Sequence, residues 1–133
     1  MTDEQALEVA AKATDAAQGR GLQVAVAVVD AAGLLLAFRR HDDAFPASVD
    51  LAIGKARTAA SFRRSTQAMQ ESLEQGRASY LAMPGALPLA GGVPLVSRGA
   101  VIGALGISGA SSRDDAELAV AAARDAGWAG DPA

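Results

Sequence analysis

Leu89-Ala90-Gly91-Gly92-Val93-Pro94-Leu95-Val96-Ser97-Arg98-Gly99-Ala100-Val101-Ile102-Gly103-Ala104-Leu105-Gly106-Ile107-Ser108-Gly109 is the stretch whose reading decides the fold. Six of the chain's fourteen glycines fall within it, and most of the rest is apolar. Gly91-Gly92 reads as a loop, the residues after it as a short strand, Ser97-Arg98-Gly99 as a tight turn, and the run up to Ser108-Gly109 as a longer strand. Two apolar strands joined by so short a turn pair antiparallel. Gly99, Gly103 and Gly106 read as turn and packing positions. Gly91, Gly92 and Gly109 stand at the open ends, where backbone can approach a ligand.

Upstream, residues 22–29 are apolar on both faces, the mark of a strand covered on both sides. Val24, Val26 and Val28 share one face; Ala25 and Ala27 make a second, shallow face that suits a close helix or a ligand. Asp30-Ala31-Ala32-Gly33 is a hairpin turn, and 34–40 is the return strand. The capping box Thr2-x-x-Gln5 opens a helix that runs to about Gln18. Pro46 suits the first turn of a second helix, to about Phe62. A third helix spans Ser65 to Gln75. Residues 77–88 are irregular and lead to a short strand near 86–90. A last helix covers about 112–126, capped by Ser111 or Ser112, and 128–133 form a loose tail.

This order predicts one domain over 1–133 with its core at about 3–127. Its class is α/β (α+β), a mainly antiparallel five-stranded sheet with helices on both faces.

Composition narrows the function. The chain has 133 residues, 4% aromatics, no cysteine and a net charge of −3. It carries no basic footprint for nucleic acid. It has no thiolate metal site and no apolar run long enough for a membrane helix, so neither a metal centre nor a membrane partner is expected. An acidic N-terminus without the marks of a signal peptide makes a cytoplasmic location the expectation.

Several residues stand out chemically. Arg39 ends an otherwise apolar strand and asks for a carboxylate partner, either a ligand or Asp30 across the hairpin. Lys55 lies on a mixed stripe with Leu51, Thr58 and Phe62, which argues against full exposure. Arg39, Lys55, Thr58, Phe62, Val93 and the Gly91-Gly92 backbone could line one positive, hydrogen-bond-donating pocket. Ser108-Gly109, between a strand end and a helix start, is a second anion-accepting candidate. His41 is the only histidine; with Asp30 it is the catalytic candidate for proton transfer, and Asp115 is a third acid–base candidate. One histidine and two adjacent acids do not make a metal site.

Val26-Ala27-Val28-Val29-Asp30-Ala31-Ala32-Gly33, Leu36-Ala37-Phe38-Arg39-Arg40, Lys55-Ala56-Arg57-Thr58-Ala59-Ala60, Gly91-Gly92-Val93-Pro94-Leu95 and Val101 to Gly109 together resemble the GlcG/HbpS-like family, related to the PduO C-terminal domain. That resemblance implies a profilin-like three-layer α/β/α fold and a homo-oligomer, from dimer to octamer. It also implies heme or a related tetrapyrrole as a possible cofactor or ligand. Where this family usually has an apolar residue after the Arg-Arg pair, this chain has His41. His41, Tyr80, Met69 and Met83 are chemically possible axial ligands. The resemblance and the donor-rich pocket lead to two expectations. One is an oligomeric small-ligand-binding protein, with heme the first ligand to test. The other is a cofactor-independent enzyme or carrier acting on a small carboxylate-bearing metabolite.

Overall fold

The structure, a computed structural model, describes residues 1–129. Four α-helices, α1 (Asp3–Gly19), α2 (Ala47–Phe62), α3 (Thr66–Glu74) and α4 (Ser112–Asp125), flank a sheet. Its strands are β1 (Ala25–Asp30), β2 (Leu35–Arg40), β3 (Gly92–Ser97) and β4 (Ala100–Ser108), in the order β2-β1-β4-β3, and every pairing is antiparallel. A single 3-10 turn, Ala78–Ala82, interrupts the long connection between α3 and β3.

The alternation in β1 sorts the two faces. Val24, Val26 and Val28 point into a core shared with Val9, Ala13, Leu105, Ile107 and Leu118, between the sheet and the α1–α4 layer. Ala25, Ala27, Val29 and Ala104 face α2, which presents Ala52, Ala56, Ala59 and Ala60. Small residues on both sides let α2 lie almost on the backbone of β4. A Cβ on Gly106 would run into the Ala52 carbonyl and stand 2.6 Å from the Ala56 nitrogen. Dispersion across that tight contact, rather than burial of large side chains, holds this layer.

Both expected caps form. The Thr2 hydroxyl accepts from the Gln5 N–H while the Gln5 side chain accepts from the Thr2 N–H, and the Ser111 hydroxyl accepts from the Asp114 N–H. Asp30 accepts through one carboxylate oxygen from the N–H groups of Ala32 and Leu34, which fixes the β1–β2 turn.

The expected five-stranded, profilin-like sheet is not what forms: the sheet has four strands. Residues 86–90 make no ladder, because their donors go elsewhere. The Leu87 N–H goes to the Thr58 hydroxyl, that of Leu89 to the Leu87 carbonyl, and that of Ala90 to the Gln70 side chain. The outer edge of β3 is closed as well. Gly92 donates to the Thr66 hydroxyl, Pro94 has no N–H, and Val96 donates to the Trp128 carbonyl. Alternation along the strand turns these three positions outward, so none of them offers a free donor to a fifth strand beside β3. Trp128, expected within the tail, is thus tied to β3 and also donates to the Ala123 carbonyl. The rest of that tail, from 130 on, lies outside the described residues. Among the described residues no helix is long and apolar enough to cross a membrane.

Candidate functional site

The pocket expected from sequence divides into two separate places. At one end of the β3–β4 pair, Lys55 of α2 reaches past Gly91 to the first turn of α4. Its ammonium donates to the Ile107 carbonyl at 3.0 Å and to Asp115 Oδ2 at 3.1 Å, with both side chains buried. Gly91 makes this passage possible. Its φ of +130° favours glycine, and a Cβ there would stand 3.0 Å from Lys55 Cδ and Nζ and collide with the Ile107 carbonyl. Gly92 is equally closed in: a Cβ there would run into the Lys55 carbonyl and stand 2.9 Å from the Thr66 methyl.

Asp115 accepts at Oδ1 from the Ala110 N–H at 3.0 Å and also from the Gly109 N–H. Burial pushes its pKa above the ordinary carboxylate value; Lys55 and the two N–H groups pull the other way. Gly109 and Ser108, both expected at a ligand, instead build this joint: Ser108 is buried and Gly109 packs against the Gln23 carbonyl. The Lys55 charge is already matched, and the Gly92 N–H is already bound. Here the structure brings together Lys55, Gly91, Gly92, Ser108, Gly109 and Asp115, but as an internal clamp between the two helical layers.

Thr58 is likewise committed, donating to the Gly54 carbonyl at 2.7 Å and accepting from Leu87. Phe62 is half-buried at the end of α2, and Val93 is buried in β3.

Arg39 is elsewhere. It pairs in register with Val26, so its side chain leaves on the α1 face, opposite to α2. Asp30, at the far end of the same hairpin, does not pair with it. Arg39 and Arg40 line a cleft of about 240 Å³ with His41 and Asp42, against Thr14, Gln18 and the apolar Ala17, Leu22 and Val24. Arg40 was not singled out from sequence, although the Arg39-Arg40 doublet next to the lone histidine was the available signal. The His41 backbone N–H donates to the Val24 carbonyl, extending the β1–β2 ladder. Its Nδ1 accepts from the Asp43 N–H at 3.0 Å. The neutral ring held this way carries its proton on Nε2, which makes the outer edge a donor.

Two of the other axial-ligand candidates are closed off. Met69 is fully buried, and the Tyr80 hydroxyl accepts from Arg64 at 2.7 Å. Among the described residues no three His, Asp or Glu side chains gather as a metal site.

Known proteins share this arrangement of elements. Protein GlcG of Escherichia coli (strain K12) is 39% identical over 108 residues, 81% of each chain. A double mutant of Streptomyces reticuli HbpS superposes with a TM-score of 0.87 at 39% identity, over 94% of this chain and 86% of that one. A PduOC:heme complex gives the same TM-score at 28% identity, over 100% of this chain and 99% of that one. The model of the family described as "Haem degrading protein HbpS-like" matches residues 1–124, and it is to this GlcG/HbpS-like family, related to the PduO C-terminal domain, that the chain belongs.

Proposed function

We propose that this protein binds a tetrapyrrole, with heme the ligand to test first, and that it holds the acid-bearing edge of the ring in the Arg39–Arg40–His41 cleft. The observation that carries the reading is that Arg39, Arg40 and His41 line one cleft beside the apolar Ala17, Leu22 and Val24, with the Arg39 side chain on the cleft's own face of the sheet. A porphyrin edge offers carboxylates to the arginines and ring carbon to Leu22 and Val24. Membership of the family and the likeness to a PduOC:heme complex support the choice of ligand.

The cleft, at about 240 Å³, is below the roughly 300–1,000 Å³ of pockets that enclose a drug-sized ligand. It therefore seats an edge and leaves the remaining ring to water or to a second copy of the chain, in keeping with the self-association that the resemblance implies. The residues present fit the periphery of heme better than its iron. With Nδ1 taken by the Asp43 N–H, the His41 Nε2 edge has no lone pair to give a metal. When bound, heme would supply the redox chemistry; the chain's part is to fix its acid groups through Arg39 and Arg40 and to offer one N–H from His41.

The alternative, an enzyme or carrier with Gly91-Gly92 stabilising a developing oxyanion, has no such observation behind it, since the Gly92 N–H is bound to the Thr66 hydroxyl and the Lys55 ammonium to Ile107 and Asp115. Titration of the protein with hemin, compared between the natural chain and an Arg39→Ala/Arg40→Ala variant, tests the proposal. Saturable binding that weakens in the variant is expected; equal binding in both counts against it.

A further inference from the structure

On the opposite edge of the sheet, α3, β3 and α4 leave a groove of about 480 Å³. Its floor is Val93, Pro94, Val120 and Ala123, and its rim carries Arg63, Arg64 and Arg124. Val120 keeps 38% of its surface exposed although it sits on the inner side of this groove. Among the described residues none of the three guanidinium groups is ion-paired to a carboxylate. Arg64 makes one side-chain hydrogen bond, to the Tyr80 hydroxyl. Three positive charges stand around one apolar floor in a chain whose net charge is −3.

Arg63 adds an independent observation. It closes α2 in the left-handed region, at φ +55° and ψ +41°. Glycine or asparagine takes that position at lower cost, and non-glycine residues held there gather at functional sites. Arg63, in this αL conformation, is one of the residues lining the groove.

We infer that this α3–α4 groove is a second binding site, for a small organic anion with an apolar body: the ring or chain lies on Val93, Pro94 and Val120 while its acidic group is shared by Arg63, Arg64 and Arg124. The site does not depend on the tetrapyrrole reading. The His41 cleft borders β2, and this groove borders β3, at the two ends of the sheet.

Naphthyl phosphate is the probe, with naphthol and inorganic phosphate as its two halves, followed through the methyl resonances of Val93 and Val120. Saturable shifts with naphthyl phosphate are expected, and each half alone should bind more weakly by roughly tenfold or more. Arg124→Gln should weaken the probe to a similar degree, while His41→Ala should leave it unchanged. Arg63→Gly is the sharper variant: it should raise the melting temperature by removing the strain and at the same time lose affinity, which a purely structural arginine would not do. Unshifted methyls, or affinity in Arg63→Gly and Arg124→Gln equal to that of the natural chain, overturn the inference. So does inorganic phosphate binding as tightly as the probe.

Discussion

Lys55 Nζ lies 3.1 Å from Asp115 Oδ2, sixty residues apart in the chain, with 5% and 3% of the two side chains exposed. The pair joins α2, on one face of the sheet, to α4, on the other, around the end of β4. Removing charges from water costs several kcal/mol each, so such a pair holds together only because its remaining donors and acceptors are met. The Ile107 carbonyl and the Ala110 and Gly109 N–H groups meet them.

Breaking the pair from one side should be expensive. Lys55→Met leaves a buried carboxylate without its cation and should cost about 3–5 kcal/mol in urea unfolding. The double variant Lys55→Met/Asp115→Leu should recover most of that loss, since an apolar pair of similar volume carries no desolvation penalty. Equal instability in the single and double variants would show that the pair is not coupled.

Acid stability should carry the signature of Asp115. Burial raises its pKa in the folded chain above the ordinary 3.8, so the folded state keeps this proton at pH values where the unfolded state has released it. Its contribution to stability is full below the ordinary carboxylate range and is lost as pH rises through the folded value. Asp115→Asn should flatten that part of the stability–pH curve, and Lys55→Met should steepen it. Unfolding free energies measured from acid to neutral pH check both signs.

The glycines should separate by what lies over them. Gly92→Ala drives a methyl group into the Lys55 carbonyl, and Gly106→Ala into the Ala52 carbonyl. Each should lose about 1–3 kcal/mol by overpacking. Gly19, at the end of α1 with nothing within 4 Å of an added Cβ, should gain roughly 0.5–1 kcal/mol as alanine. Gly103 packs as the sequence leads one to expect, and Gly92 is packed as closely: an added Cβ would meet a backbone carbonyl at each, of Val29 and of Lys55 respectively.

What could be read in the chain followed from local rules. The Val24-Val26-Val28 alternation gave the right face to each residue, Asp30 to Gly33 formed the turn, and Thr2, Gln5 and Ser111 capped their helices. The mixed stripe of Leu51, Lys55, Thr58 and Phe62 signalled correctly that Lys55 is not a solvated lysine. Its partner could not be read, because Asp115 meets it only once β4 and α4 are in place. The missing fifth strand has the same cause. Residues 86–90 look no less strand-like than their neighbours until Thr58 and Gln70 take their donors. Arg39 and Lys55 were grouped in one pocket for want of a register: the pairing of Arg39 with Val26 sends its side chain to the opposite face from α2.

The proposed role of the cleft is tested most directly by titrating the protein with hemin and, in parallel, with metal-free protoporphyrin. If Arg39 and Arg40 recognise the acidic edge, both porphyrins should bind with affinities within a few-fold of each other. The Arg39→Ala/Arg40→Ala variant should weaken both by roughly tenfold or more, and His41→Ala should change either one little. Hemin binding that disappears in His41→Ala, with no binding of the metal-free ring, would contradict the account and place the iron, rather than the carboxylates, at the centre of recognition.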